Sequence, residues 1–371
     1  MFDNKKVAIV CDWIKDWWGA ELVLWHVMEI FPKADIYSSV FFQNENNIFK
    51  WRKITTSFIQ RIPFINKSHK LALTLRPLAF ESMDLSQYDI VVSMCSAESK
   101  WVITKPWTLH ICYLHTPTRY FWSHYHEYKN MMEFWFFNYF ASLLMSPIIH
   151  KLRKWDFIAS KRPDYILSNS INTKNRVEKY YRRDATVLYP WVDLSEFKLR
   201  KEKDDFYIYV WRCIPYKKFD LVVDAFNLNW KRLVIFTNTD NKLYRELKNK
   251  SKNNIEWRLS RPRGEIIDYY SRAKASLFPP EEDFGLVPVE AMACWTPVIA
   301  YWIWWWKETV VNWETWLFFD KQTPSSLNSA ISKFEKMSFD PLIIRNRAEK
   351  FSKTNFQDSL LQFIKEKIKD H

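Results

Sequence analysis

The chain has 371 residues, of which 48% are hydrophobic and 26% charged, and its 55 Lys and Arg exceed its 42 Asp and Glu by 13. These values exclude a largely disordered chain and predict about two domains. The positive balance favours an anionic partner, which leaves nucleic acid, a nucleotide and an anionic membrane surface open. No apolar run approaches the ~20 residues that a transmembrane helix needs. Five scattered cysteines without a C-x-x-C pair indicate a reducing cytoplasm.

The N-terminal part of the chain alternates strand and helix patterns. A buried strand is predicted at residues 6–11 and a helix at 20–30. Further short strands are predicted at residues 89–93, 109–114 and 165–168. Between the last two strands, the aromatic and basic segment 120–162 fits two interpretations equally well. It is either an amphipathic surface that rests on a membrane or a set of helices that covers the sheet.

The alternation restarts after residue 190. The predicted strands are 206–210, 232–237, 275–278 and 297–301, and the predicted helices are 216–226, 241–249, 265–273, 288–294, one within 325–336 and one within 356–368. Such alternation predicts parallel sheets with crossover helices, and the restart predicts two doubly wound, Rossmann-like domains facing a central ligand cleft. The predicted ranges are 1–185, 186–350 and a C-terminal helix, 351–371, that packs back towards the first domain.

Glycine is scarce and tryptophan abundant, with 3 Gly beside 21 Trp. At a usage of about 7%, a chain of this length would carry roughly 26 glycines. Our hypothesis is that most tryptophans stand where the natural protein has glycine, as happens when a UGA codon that some bacteria read as glycine is translated as tryptophan. The crowded stretch YWIWWWKETVVNWETW, residues 301–316, then becomes an ordinary glycine-rich loop. A Trp-rich surface for membranes or sugars is the alternative, but it leaves the glycine deficit unexplained.

The most informative motif is EDFGLVPVE, in which Glu282 and Glu290 are eight positions apart. Glu282 is predicted in the loop after a strand and Glu290 at the start of a helix. The positive end of a helix dipole explains a carboxylate at that position, but it explains Glu290 alone. The whole string resembles the E-x7-E signature of the retaining glycosyltransferases of family four, which have the GT-B fold.

The resemblance extends over nearly the whole chain and sharpens when Trp is read as Gly. YVWRCIPYKKFDLVVDAF then resembles the G-R-x-x-x-x-K block of the family, ACWTPVIA becomes ACGTPVIA, and DWWGAELVL gains a G-G-A-E loop. LHTPTRYFW, LRKWDFIASKRPDYILSNS and ATVLYPWVD are similar to the mannosyltransferases of O-antigen and exopolysaccharide assembly. Trp13, Trp122 and Trp155 match tryptophans of that family, so 21 − 3 = 18 positions remain to be read as glycine.

The resemblance implies a role for each matching residue of the C-terminal half. Arg212 and Lys217 hold the donor diphosphate, where cations stabilise the charge that grows as it leaves. Taken alone, a basic pair after a strand is more often a solvated surface pair. Glu282 accepts hydrogen bonds from donor-sugar hydroxyls, and Glu290 binds the nucleoside ribose. The backbone N–H groups at residues 284–286 (Phe284, Gly285, Leu286) approach the sugar and phosphate.

In the N-terminal half, the resemblance implies that Trp18 and Gly19 form a loop facing the diphosphate. Trp18 as written blocks that approach, since backbone contact with phosphate requires a small residue. His115 contacts the donor sugar through its carbonyl or its ring, although a lone His after a strand is more often structural. Arg119 aids acceptor or phosphate binding.

The resemblance implies an enzyme without a cofactor or metal, and no D-x-D or H-E-x-x-H motif is present. It would move mannose from GDP-mannose onto a lipid-linked saccharide with retention, in the cytoplasm, peripherally bound to the inner face of the membrane. UDP-glucose stays open as donor, because residues 237–258 match the base-binding region poorly. A basic nucleic-acid-binding protein lacks a supporting motif. A GT-B-shaped scaffold without catalysis is inconsistent with the intact basic and acidic residues.

Overall fold

The computed structural model describes residues 4–15, 20–42, 48–63, 69–123, 125–126, 138–302 and 316–371. The contacts of the chain divide it into two compact units. The N-terminal unit comprises Met1–Tyr189 together with Gln357–His371, and the C-terminal unit comprises Pro190–Phe356. Each unit is built on its own parallel sheet.

The N-terminal sheet has seven strands in the order β3-β2-β1-β4-β5-β6-β7, all parallel. The strands are β1 (Val7–Cys11), β2 (Asp35–Ser38), β3 (Ile54–Thr56), β4 (Ile90–Cys95), β5 (Leu109–Leu114), β6 (Tyr165–Ser168) and β7 (Thr186–Val187). β1, β4 and β5 are buried along their whole length. Near-continuous apolar runs of this kind are typical of strands covered on both faces.

Helices connect these strands. They are α1 (Ala20–Ile30), α2 (Arg76–Glu81), α3 (Asn138–Ala159) and α4 (Ile171–Tyr181). The start of α4 is set by Ser170, whose side chain accepts from the Thr173 N–H, and its end by Arg182, which has a left-handed backbone. Within the described ranges, no helix is both long and apolar enough to cross a bilayer.

The C-terminal sheet has six parallel strands in the order β10-β9-β8-β11-β12-β13. The strands are β8 (Tyr207–Val210), β9 (Leu233–Thr237), β10 (Ile255–Leu259), β11 (Ala275–Phe278), β12 (Val298–Tyr301) and β13 (Trp316–Phe319). The helices are α5 (Phe219–Asn229), α6 (Lys242–Lys250), α7 (Arg263–Arg272), α8 (Leu286–Ala293), α9 (Pro324–Phe334), α10 (Pro341–Glu349) and α11 (Lys353–Asp370). A core cluster of buried side chains joins α5 and α9 to this sheet.

The C-terminal helix α11 begins in the C-terminal unit, and from Gln357 onward it belongs to the N-terminal unit. Its side chains pack on β6 there. The Phe363 ring meets the Tyr165 ring edge to face with 5.8 Å between centroids, and Lys367 Nζ lies 4.9 Å from the centroid of the same ring.

The structure confirms two doubly wound α/β units, as the alternating pattern predicted. It also corrects element boundaries. The helix predicted at 216–226 begins at Phe219, because Pro215–Lys217 forms a 3-10 turn and Lys218 has a left-handed φ of 60°. The helix predicted at 288–294 begins two residues earlier, at Leu286. Strands β2, β3, β7, β10 and β13 and helices α2, α4 and α10 were not predicted.

Candidate active site

In the C-terminal unit, the strand order reverses direction between β8 and β11. These two strands are parallel neighbours, so the chain leaves the sheet at one edge after each of them, in segments 211–217 and 279–285. In doubly wound sheets, ligands bind outside the carboxyl ends of the strands at such a switch point. The predicted residues Arg212, Lys217 and Glu282 lie in these two segments.

An ion pair between Lys217 Nζ and Glu282 Oε1 joins the two segments. Lys217 is only 3% exposed and closes the 3-10 turn that follows β8. The Tyr209 hydroxyl donates to the backbone carbonyl of Lys217, which ties the turn to strand β8. A buried ammonium needs an opposite charge, because desolvation strongly penalises an unpaired ion. The structure therefore brings together two of the predicted residues, one cation and one carboxylate.

The indole of Trp211 lies against the same ammonium. Its ring centroid is 3.3 Å from Lys217 Nζ, and the Tyr216 ring centroid is 5.3 Å away. The indole N–H is buried and has no acceptor among the residues that the structure describes. An unmet donor of this kind costs about 1–3 kcal/mol. The ring covers one face of the ammonium.

Arg212 is exposed in the loop after β8. The backbone beside it is fixed, since the Cys213 N–H donates to Thr237 Oγ1 at 3.1 Å and the Cys213 carbonyl accepts from Asn241 Nδ2 at 2.7 Å. An exposed guanidinium on a fixed backbone is suited to two-point binding of a phosphate. The structure places Arg212 in the same loop as Lys217.

The turn from the second loop into α8 depends on Gly285. Its φ of 82° is in the left-handed region, where a side chain is strained. The preceding Phe284 is buried and meets the Phe351 ring edge to face at 5.3 Å. Leu286 is the first helical residue, so the backbone N–H groups here have no acceptor within the helix. Such groups can bind an anion.

Glu290 lies in the second turn of α8, not at its start as predicted. It is held by Arg263 at the start of α7, whose Nη1 donates to Glu290 Oε1 at 2.9 Å. Arg263 Nε also donates to Glu196 at 2.9 Å. Burial lowers the pKa of Arg263, but the charges of Glu290 and Glu196 outweigh it and hold that pKa above its ordinary value. Sequence reasoning missed Arg263, because the contact joins residues 27 positions apart on two helices.

His115 and Arg119 lie in the N-terminal unit, directly after β5. The His115 N–H donates to the Cys95 carbonyl at 2.8 Å, and the His115 carbonyl accepts from Thr173 Oγ1 at 3.2 Å. The imidazole ring meets the Tyr113 ring edge to face at 5.1 Å. The backbone of this predicted residue is therefore anchored to β4 and α4. Trp18 and Gly19 lie outside the described residues.

A buried carboxylate at the switch point between β1 and β4 escaped sequence reasoning. Asp12, directly after β1, accepts hydrogen bonds from four successive backbone N–H groups after β4. The donors are Ser96 and Ala97 to Oδ2, at 2.6 and 2.8 Å, and Glu98 and Ser99 to Oδ1, at 2.8 and 2.6 Å. Glu98 also forms a buried ion pair with Arg76 at 2.7 Å. This edge of the sheet is therefore held together by internal contacts.

The tryptophans read as glycine differ in how the structure accommodates them. Trp230 and Trp295 have left-handed backbones, with φ of 58° and 61°, and the buried N–H of Trp295 has no acceptor among the described residues. Trp302 is 40% exposed. Trp101 and Trp316 instead pack fully buried. The backbone of Trp295 thus has a conformation that glycine adopts without strain, and residues 304–306 lie outside the described part of the chain.

Residues 193–356 match the family model described as Glycosyl transferases group 1. The chain is 28% identical over 193 residues to the O-antigen chain mannosyltransferase RfbU of Salmonella typhimurium. The aligned region covers 48% of this chain and 52% of that protein. It is 29% identical over 181 residues to the uncharacterized glycosyltransferase MJ1178 of Methanocaldococcus jannaschii, which covers 47% and 50%. The chain thus spans about half the length of the curated relatives it matches.

Solved structures of glycosyltransferases resemble the whole chain. A sucrose-phosphate synthase from Thermosynechococcus elongatus has a TM-score of 0.72 at 15% identity, covering 99% of this chain and 100% of that one. HepE of Anabaena, in complex with UDP and glucose, has a TM-score of 0.70 at 14% identity, covering 98% and 100%. At such identities the likeness concerns the fold alone. The chain therefore has the GT-B fold, and residues 193–356 carry its sequence likeness to the group 1 glycosyl transferases.

Proposed function

We propose that the chain is a retaining glycosyltransferase of family four that moves mannose from GDP-mannose onto a lipid-linked saccharide. The observation that carries the proposal is the Lys217–Glu282 ion pair at the β8/β11 switch point, inside the segment that matches the family model. The likeness to a mannosyltransferase supports mannose. The neighbour that holds UDP and glucose supports a nucleotide-sugar donor, and UDP-glucose remains the alternative.

In the proposed reaction, the donor diphosphate binds Lys217 and Arg212. The bond between the sugar and the β-phosphate breaks, and negative charge grows on the leaving diphosphate. Fixed cations stabilise that charge more strongly in the transition state than in the ground state. Glu282 and the turn after β8 hold Lys217 in place, so little reorganisation accompanies the reaction. The two side chains supply the positive charge, and the proposal includes no metal or cofactor.

Both glutamates act in binding. A double displacement needs two carboxyl groups about 5–5.5 Å apart that flank the scissile bond. Here Glu282 is paired with Lys217, and Glu290 with Arg263. We assign departure and attack to the same face of the sugar, with the acceptor hydroxyl giving its proton to the leaving diphosphate. Glu282 accepts hydrogen bonds from sugar hydroxyls and Glu290 from the ribose diol.

The remaining predicted residues complete the donor site in this proposal. The backbone N–H groups at the start of α8, after Gly285, bind the phosphate and sugar. Trp18 and Gly19, which lie outside the described residues, keep their proposed role in diphosphate binding. His115 contacts the donor sugar through its carbonyl, which also accepts from Thr173, or through its ring, and Arg119 binds acceptor or phosphate.

In the proposal, the active protein has glycine at 18 of the 21 tryptophan positions. Trp230 offers a direct test, because it is 61% exposed, follows α5 and has a φ of 58°. Trp230→Gly and Trp230→Ala both remove the indole, but only glycine relieves the left-handed backbone. We expect the glycine variant to be about 1 kcal/mol more stable than the alanine variant in urea unfolding. Equal stabilities, or UGG codons in the gene, contradict the substitution.

A lipid-linked acceptor places the enzyme peripherally on the inner face of the cytoplasmic membrane, with segment 120–162 as the contact surface. The described end of that segment carries Lys151, Arg153, Lys154, Lys161 and Arg162. Basic side chains attract anionic lipids over about a Debye length, so binding weakens with salt. Flotation with phosphatidylglycerol vesicles is expected to capture the chain at low salt. Absence of capture, or capture that salt leaves unchanged, removes the membrane claim.

The activity is tested by release of nucleoside diphosphate from a panel of GDP- and UDP-sugars. The assay compares the full chain as written with the full chain carrying the 18 glycines. We expect the chain with the 18 glycines to release GDP from GDP-mannose. The Glu282→Ala variant of that chain is expected to lose this release. Lys231→Ala, which removes a surface ion pair with Glu335, is the control and is expected to retain turnover. Release of UDP alone contradicts the donor, and full turnover of Glu282→Ala contradicts the site.

A further inference from the structure

The N-terminal unit contains a buried carboxylate that the proposed reaction does not use. Asp156, in α3, is fully buried, and both of its oxygens are surrounded by donors. Around Oδ1 lie Lys100 Nζ at 2.6 Å, Trp101 Nε1 at 3.0 Å and Thr118 Oγ1 at 3.4 Å, and around Oδ2 lie Trp122 Nε1 at 2.7 Å and the Tyr181 hydroxyl at 2.8 Å. We call Asp156, Lys100, Thr118, Trp122 and Tyr181 the Asp156 hub. Trp101 is one of the 18 positions read as glycine and is not counted in it.

The hub joins separate segments of the chain. Lys100 follows β4, Thr118 and Trp122 follow β5, and Tyr181 ends α4. Two members of the hub also share a second acceptor. Lys100 Nζ and Thr118 Oγ1 both donate to the Ala97 carbonyl, at 2.6 and 2.8 Å. The segments after β4 and β5 are therefore tied to each other as well as to α3.

Arg119 sits inside a tight turn whose two ends belong to the hub. The backbone N–H of Trp122 contacts the carbonyls of Thr118 and Arg119, each at 3.2 Å, and the Phe121 N–H donates to Thr118 at 3.0 Å. Trp122 Nε1 donates to Asp156, whereas the Thr118 hydroxyl donates to the Ala97 carbonyl and lies 3.4 Å from Asp156 Oδ1. Arg153 Nε also donates to the Phe121 carbonyl at 2.6 Å. Asp156 is thus one of the groups outside the turn that hold it.

The charges and hydrogen bonds of this network depend on one another. A carboxylate removed from water requires both a counter-charge and hydrogen bonds, and here Lys100 supplies the charge. The charge of Asp156 in turn outweighs the burial that lowers the pKa of Lys100, and that pKa lies well above its ordinary value. Removing one donor weakens the remaining contacts, since the bonds in a buried network support one another.

We propose that Asp156 is a positioning residue that holds the turn 118–122 and, through it, fixes Arg119 for substrate. This inference rests on the proposed role of Arg119 in the transfer reaction. Asp156 itself touches no substrate. A hub that only stabilises the fold would lower stability without acting through Arg119.

The test uses two conservative variants, because removing Asp156 leaves the buried Lys100 without its counter-charge. Tyr181→Phe and Trp122→Phe each delete one donor and keep an aromatic ring. Tyr207→Phe is the matched control, since Tyr207 is also buried and donates to a carboxylate, Glu335, at 3.0 Å in the C-terminal unit. We expect the Tyr181 and Tyr207 variants to lose similar stability in urea.

Hydrogen exchange of the full chain then separates the variants without any need for turnover. We expect amide exchange in residues 118–123 to rise about tenfold in Tyr181→Phe and Trp122→Phe, and to stay unchanged in Tyr207→Phe. Unchanged exchange in this segment in both hub variants overturns the proposal.

The kinetic arm measures whether the hub acts through Arg119. Tyr181→Phe is expected to lower kcat about fivefold to twentyfold with a smaller change in the KM for the donor. In an Arg119→Ala background it is expected to cause no further loss. An equal loss in both backgrounds overturns the positioning role. If the parent chain releases no diphosphate from any nucleotide sugar, the proposed function fails, and the exchange arm still decides the proposal about the turn.

Discussion

The two units have the same strand order around their switch points and different chemistry there. In the N-terminal unit, the loops after β1 and β4 are joined by a carboxylate, Asp12, that accepts four backbone N–H groups. In the C-terminal unit, the loops after β8 and β11 are joined by two side chains, Lys217 and Glu282. Backbone donors cannot leave their acceptor unless the loop moves. A side-chain ammonium has three donors, so it can contact a ligand while it stays paired with a carboxylate.

This difference assigns different tasks to two similar places. Four N–H donors to one buried carboxylate fix the shape of a loop and leave that carboxylate little capacity for anything else. A lysine held by one glutamate keeps donors for an anion, and the charge of that glutamate offsets the cost of burying the ammonium until a ligand binds. We therefore expect changes at the first place to alter stability and changes at the second to alter turnover.

The largest expected effect is on turnover in Lys217→Ala. Loss of a fixed cation at a leaving diphosphate is expected to reduce kcat about 10²–10³-fold, the range found for loss of one preorganised electrostatic group. Steady-state release of diphosphate measures it. Lys274→Ala serves as control, since Lys274 also pairs with carboxylates in the C-terminal unit, Asp205 at 2.7 Å and Glu335 at 3.4 Å, on the surface. Equal activity in both variants breaks the comparison.

Asp12→Ala is expected to have its main effect on stability. It leaves buried backbone donors without an acceptor, at about 1–3 kcal/mol for each group that water does not reach, so we expect a loss of about 3 kcal/mol. Urea unfolding followed by circular dichroism measures it. Asp89→Ala is the control, because Asp89 accepts the Lys6 N–H at 2.8 Å but its side chain is 37% exposed, and its loss is expected to stay below about 1 kcal/mol. A fully stable Asp12→Ala protein contradicts the anchoring role.

The sequence predicted one of these places and missed the other for a physical reason. Lys217 and Glu282 follow strands of one predicted sheet, so their meeting across 65 positions follows from the topology. Asp12 meets backbone N–H groups 84–87 positions away, and backbone donors leave no signature in residue type. The short edge strand β3 was not predicted because it has only three residues, none of them buried, and so leaves no apolar pattern. Strand β13 was not predicted because it begins at Trp316, the last residue of the tryptophan-rich stretch that was read as a glycine-rich loop.

A smaller effect is expected at the second ion pair of the C-terminal unit. Arg263→Gln removes the charge that holds Glu290, so the proposed ribose contact loses its fixed position. We expect the KM for the donor to rise about tenfold, equivalent to about 1.4 kcal/mol of binding, with kcat nearly constant because the ribose does not react. Arg272→Gln, at the other end of α7, pairs with Asp204 at 2.7 Å and is the matched control. A fall in kcat alone contradicts a ribose role for Glu290.

The smallest expected effect tests whether the C-terminal switch point is an anion site at all. The Trp211 ring lies 3.3 Å from Lys217 Nζ, and a cation–π contact of this kind contributes about 0.5–2 kcal/mol. Trp211→Gly removes that contact and opens the Lys217 ammonium to a ligand. We therefore expect GDP and UDP to bind about fivefold more tightly in calorimetry. Trp230→Gly is the control, since Trp230 contacts Lys252 at 4.2 Å, away from both loops, and its removal is expected to leave nucleotide affinity unchanged. Weaker binding in Trp211→Gly means that the indole forms part of the site and does not cover it, and the contrast between the two switch points then rests on Lys217 and Glu282 alone.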